Sequence, residues 1–108
     1  MMYIDFVANN KEYKLRLNTR DVVALEKSLG CNPLAIFGAG DTIPTITTMV
    51  KILHSSMRKF HHSITLEDAY DIFDEWLDEG HTMTDFISVI LEIYKVSGLI
   101  KNDKEEKN

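Results

Sequence analysis

The feature that most constrains this chain is a change of hydrophobic period near residue 18. Ahead of it apolar residues alternate, first Ile4, Phe6 and Ala8, then, past a polar break at Asn9, Asn10 and Lys11, Tyr13, Leu15 and Leu17. Beyond it they recur every three to four residues. Two period-two runs around a short Asn-containing connection predict a β-hairpin. A lone hairpin is only marginally stable in water, so helices downstream must cover its apolar side. The expected class is α+β, an N-terminal β-hairpin packed on a bundle of about four α-helices. Residues 1–100 form one domain and 101–108 a charged flexible tail.

The helical signals are local. Thr19 is a suitable N-cap with Asp21 in the first turn, Val22, Leu25 and Leu29 form a stripe, and Gly30 sits as the stop. Pro33 suits the first turn of a short helical piece through Phe37. Gly38, Gly40, Asp41 and Pro44 mark a breaker-rich, adjustable loop. A second long helix spans about Thr45 to Phe60, with Ile46, Met49, Val50, Leu53, Met57 and Phe60 inside an arc of about 100°. Capping-box patterns at Thr65 to Asp68 and Thr82 to Asp85 open two more helices, stopped by Gly80 and Gly98. The third carries Leu66, Ala69, Tyr70, Phe73, Trp76 and Leu77 inward.

Composition excludes more than it identifies. With 108 residues, 44% hydrophobic and 27% charged, the chain fits one globular domain. Its formal charge of −5 disfavours a phosphate-tracking surface, so no nucleic-acid partner is expected. No apolar run approaches the roughly 20 residues of a membrane span, and Met1 to Asp5 lacks the pattern of a secretory signal. The single cysteine, Cys31, cannot close an intrachain disulfide, which points to a reducing compartment.

The candidate chemistry reads as structure. Glu67, Asp68, Asp71, Asp74, Glu75, Asp78 and Glu79 lie opposite the apolar stripe, where a solvated face or an acidic docking surface belongs, and their spacing fails as a calcium loop. His54, His61, His62 and His81 form no zinc spacing; His61 and His62 follow a helix end, where a cation complements the dipole. Cys31 has no neighbouring base, and Gly38-Ala39-Gly40 lacks the strand and third glycine of a dinucleotide loop. A helix-turn-helix over Thr65 to Ser97 fails on charge. No enzyme, cofactor or metal is expected.

The last helix is unusual. Phe86, Ile87, Val89, Ile90, Leu91, Ile93, Tyr94 and Val96 cover an arc of about 220°, roughly twice what one-sided packing needs. Either this helix is sandwiched between the hairpin and other helices, or part of its surface, with Ile87, Leu91 and Tyr94 as the candidates, awaits another chain.

The order of pieces carries a resemblance. Tyr13-Lys14-Leu15-Arg16-Leu17 runs into Thr19 and then Leu25-Glu26-Lys27-Ser28-Leu29-Gly30-Cys31-Asn32-Pro33-Leu34. Leu66-Glu67-Asp68-Ala69-Tyr70, Phe73-Asp74-Glu75-Trp76-Leu77 and a closing Lys95-Val96-Ser97-Gly98-Leu99 follow. From about residue 10 to 100 the chain resembles the tail assembly chaperones of long-tailed phages and of prophages in low-GC Gram-positive bacteria. The resemblance implies a non-enzymatic protein of the host cytoplasm, absent from the mature virion. Such a protein binds the tape measure protein and assists tail tube assembly, with the tail tube protein as a further partner and self-association allowed. It also implies that a frameshifted, extended form can accompany the short one. A small acidic adaptor docking on a basic partner is the alternative.

Overall fold

In the computed structural model, which describes residues 2–37 and 43–101, Ile4–Ala8 (β1) and Lys11–Leu15 (β2) pair antiparallel, with Phe6 opposite Tyr13 and Ala8 opposite Lys11. Asn9 and Asn10 make the two-residue connection with φ of 52° and 62°. A right-twisted two-residue hairpin needs this left-handed pair, and asparagine tolerates it because its short amide bonds locally. Phe6, Ala8, Tyr13 and Leu15 fall on one face and are buried, as is Leu17 just beyond. The expected hairpin is present, and its cover is helical.

Four α-helices follow, Thr19–Leu29 (α1), Ile46–Met57 (α2), Leu66–Asp78 (α3) and Met83–Val96 (α4), with a 3-10 turn at Pro33–Phe37 after α1. The fold is thus α+β, a two-stranded antiparallel hairpin on a helical bundle. Both expected capping boxes form, at Thr65 with Asp68 and at Thr82 with Asp85. The first helix departs from expectation: its cap is Asn18, not Thr19. Asn18 Oδ1 accepts the Asp21 N–H at 3.0 Å while Asp21 Oδ2 accepts the Asn18 N–H at 3.4 Å. An acid three residues on makes the reciprocal pair; Thr19 would have Val22 there. Gly30 closes α1 at φ 75° and donates its N–H to the Glu26 carbonyl, as expected of a stop.

The second helix is the hub, packing against α1, α3, α4 and β2. It buries Met49, Val50, Ile52, Leu53, Ser56 and Met57, a wider arc than the expected stripe. Both ends of that stripe are corrected: Ile46 is 42% and Phe60 36% exposed. The helix stops at Met57, whose carbonyl accepts from Phe60 and His61. Phe60 then turns out, edge-on to Tyr3 at 5.5 Å. Ser56 escapes an apolar reading, yet it is fully buried because its hydroxyl donates to the Leu53 carbonyl at 2.8 Å.

Phe6, Phe73, Trp76 and Phe86 form an aromatic cluster that joins β1 to α3 and α4, with centroids 5.1–6.1 Å apart. Edge-to-face pairs such as Phe73 with Phe86 add roughly 0.5–1.5 kcal/mol each beyond area burial. On α4 only Phe86, Ile90, Ile93 and Tyr94 are buried; Ile87 and Leu91 on one flank and Val89 and Val96 on the other are half-buried. The broad apolar arc therefore divides into a sandwiched centre and two half-covered margins. Of the loop expected over Gly38–Pro44, only Ile43, exposed, and Pro44, buried, lie within the described residues; the tail beyond Lys101 lies outside them.

The position of α2 separates two substitutions on one helix. Leu53→Ala, at the fully buried centre, should lower unfolding free energy by about 2–5 kcal/mol. Ile46→Ala, at the exposed end, should change it by less than about 1 kcal/mol. Urea denaturation of the two variants measures both.

Candidate functional site

Of the three residues expected on a partner-binding surface, the structure keeps two at the surface. Ile87 and Leu91 lie one turn apart on the same half-buried flank of α4. Tyr94 does not join them and is corrected to a core residue with no exposure. Its ring lies edge-on to Phe37 at 6.5 Å, and its hydroxyl donates to the Pro33 carbonyl at 2.8 Å. Burial, with a smaller contribution from Cys31, pushes the phenol well above its ordinary value of 10.0. The acceptor stands 61 residues away in sequence, which is why helix periodicity gave no sign of it.

The histidines also differ from expectation. His61 is not a cation serving the helix dipole but a hydrogen-bond acceptor: its Nε2 takes the Lys14 N–H at 2.9 Å. Its pKa is lowered from 6.5, first by burial and then by Lys14 and His62. The ring also lies edge-on to Tyr13 at 5.4 Å. His54 Nε2 lies 3.0 Å from the Ile64 carbonyl, and His81 stacks on Trp76 at 4.3 Å with only 8° between the planes. Each of these three histidines has a structural partner.

The acidic helix face is partly engaged as well. Glu79 Oε2 accepts the Asn9 N–H at 2.6 Å and Glu75 Oε2 accepts the Asn9 side-chain amide at 3.2 Å, so two acids grip the hairpin turn. Asp68 caps α3, and the Thr65 backbone N–H and hydroxyl hold its carboxyl below the usual range. Glu67, Asp71, Asp74 and Asp78 remain on the exposed face. Among the described residues no group of three or more His, Cys, Asp or Glu is placed to hold a metal.

A groove of about 230 Å³ between α1 and α2 is lined by Ser28, Lys51, His54, Ser55 and Arg58, beside Ala24 and Leu66. Its cations are already engaged. Lys51 Nζ donates to the Ser28 carbonyl at 3.2 Å and Arg58 Nε lies 3.5 Å from Asp21. The groove ties α1 to α2. Cys31 is exposed beside Gly30.

A family model of unknown function (DUF6096) matches residues 6–108, from the middle of β1 through every helix. The chain belongs to DUF6096. No curated protein and no solved structure matches it. Membership in DUF6096 assigns no activity, so the functional reading rests on the residues described above.

Two measurements probe these contacts. Because the folded pKa of His61 lies below its unfolded value, the unfolded chain takes the proton first. The stability this group confers is therefore full above about pH 6.5 and is lost as pH falls towards the folded value. Thermal melts between pH 7.5 and 5.5 should show that slope, and His61→Gln, which keeps a side-chain acceptor but does not titrate, should flatten it. Tyr94→Phe leaves the buried Pro33 carbonyl unpaired and should cost about 1–3 kcal/mol in urea denaturation.

Proposed function

We propose that this DUF6096 chain is a non-enzymatic tail assembly chaperone. In this reading it binds apolar helical segments of a phage tape measure protein in the host cytoplasm and is left out of the mature virion. The observation that carries the reading is the half-covered aliphatic pair Ile87 and Leu91 on one flank of α4. Two aliphatic side chains one turn apart, with Ile87 resting on the margin of the core, give an amphipathic client helix an edge to lie against. The succession of hairpin and helices on which the resemblance was drawn is the succession seen in the fold. The acidic outer face of α3 adds charge that keeps such a holdase from clumping non-specifically. The role needs no reacting group, and the histidines and carboxylates described above have structural partners or face solvent.

A second reading, a small acidic adaptor, is favoured by Glu67, Asp71, Asp74 and Asp78, which stand exposed along α3. Salt separates the two, because exposed charge pairs are screened within about 10 Å at 0.1 M while apolar contacts are not.

The decisive experiment is coexpression with a tape measure protein encoded beside this chain. The wild-type chain should keep that protein in the soluble fraction, and the Ile87→Ser, Leu91→Ser double variant should not. Each substitution removes a half-buried side chain and should lower the chain's own stability by only about 1 kcal/mol. Loss of rescue with a folded variant supports the reading. Undiminished rescue by the variant, or none by the wild type, overturns it.

A further inference from the structure

We infer that the outer edge of β1 pairs antiparallel with β1 of a second copy, joining two hairpins into one four-stranded sheet about a two-fold axis at Phe6. This does not depend on the chaperone reading.

Hydrogen-bond parity carries the inference. On the far side of β2, Lys14 donates its N–H to His61 Nε2 at 2.9 Å and Arg16 donates its N–H to the Ser56 carbonyl at 2.8 Å. Both groups therefore point away from β1. Lys14 stands opposite Asp5, and Glu12 opposite Val7. Bonded and non-bonded pairs alternate along an antiparallel ladder, so these two pairs are non-bonded and the N–H and C=O of Asp5 and Val7 point away from β2. Among the described residues no protein group meets them. The next outward N–H, that of Asn9, is taken by Glu79. One edge of the hairpin is closed by α2 and the residues after it; the other is open across Asp5 and Val7, and Val7 is 48% exposed.

An open edge is a template for another strand, and a second copy of this chain fits it in one register without opposing like charges. Symmetric antiparallel pairing can centre its axis on Asp5, Phe6 or Val7; the Val7 register sets Asp5 opposite Asn9, whose N–H Glu79 already holds. Centring the axis on Asp5 sets two carboxylates face to face, which destabilises. Centring it on Phe6 places Asp5 opposite Val7 of the second copy, and four interchain backbone hydrogen bonds form. Across the outer face the row then reads Lys14, Asp5, Val7, Glu12, so each Asp5 keeps its own Lys14 and no like charges are directly opposed. On the inner face Ile4, half-buried in one copy, gains Ala8 of the other as its neighbour. Antiparallel pairing also sends the two Asn9 turns, each held by Glu75 and Glu79, to opposite ends of the sheet. Parallel pairing would bring those acids together.

Sedimentation equilibrium of the full chain over a concentration series tests the inference. The wild type should form a dimer. Val7→Pro removes one outward N–H per copy while sparing the ladder to β2, and should weaken association about thirtyfold or more, since two interchain bonds are lost. Val7→Lys places a charge on the edge without touching the backbone and should also favour the monomer; it decides the matter if the proline variant fails to fold. A wild type that stays monomeric throughout, or a dimer unmoved by the substitutions that fold, overturns the proposal.

Discussion

A two-stranded sheet leaves the outward-pointing half of its backbone groups without a strand partner, and the way β2 and the residues just after it dispose of their share holds this molecule together. Lys14, Arg16 and Leu17 donate their N–H groups in turn to His61 Nε2, the Ser56 carbonyl and Ser97 Oγ. The Arg16 guanidinium adds bonds to the Val96 carbonyl at 2.8 Å and the Met2 carbonyl at 3.0 Å. Val96 closes the last turn of α4, where carbonyls lack helical partners and a cation is favoured. The hairpin is thus fastened to the ends of two helices by directional bonds, and the apolar face beneath it is brought into register with α2 and α4.

From that fastening the rest of the packing follows. The second helix, touched by three other helices and a strand, has little surface left for solvent and buries even a serine by turning its hydroxyl back on the helix. The fourth helix, seated against α2 and β1, is covered at its centre but not at its margins. Charge is arranged around this core according to local need. Acids cap helices, grip the Asn9 turn or face water on α3, while Lys51 and Arg58 bind α1 to α2. These charged groups serve caps, a turn and contacts between helices.

What was legible in the sequence was what neighbours in the chain decide. The alternation of Phe6, Ala8, Tyr13 and Leu15, the capping boxes at Thr65 and Thr82, and the stops at Gly30, Gly80 and Gly98 depend on spacings of a few residues. What stayed hidden depends on partners far away. Tyr94 reads as surface until Pro33, 61 positions earlier, supplies an acceptor for its hydroxyl. Glu75 and Glu79 read as solvated until Asn9 appears beside them, 66 and 70 positions away. His61 reads as a cation until a strand amide needs an acceptor. The same limit applied to the candidate surface, where Ile87 and Leu91 remained accessible and Tyr94 did not.

Trp76, the only tryptophan, has an unusually informative position. Phe6 of the hairpin and Phe86 of α4 lie on its buried side, while the imidazole of His81, from the α3–α4 turn, covers it in parallel from the solvent side. Its fluorescence therefore senses separation of the strand from the helices beneath it. The protein carries its own optical gauge at the seam between sheet and bundle, with no label required.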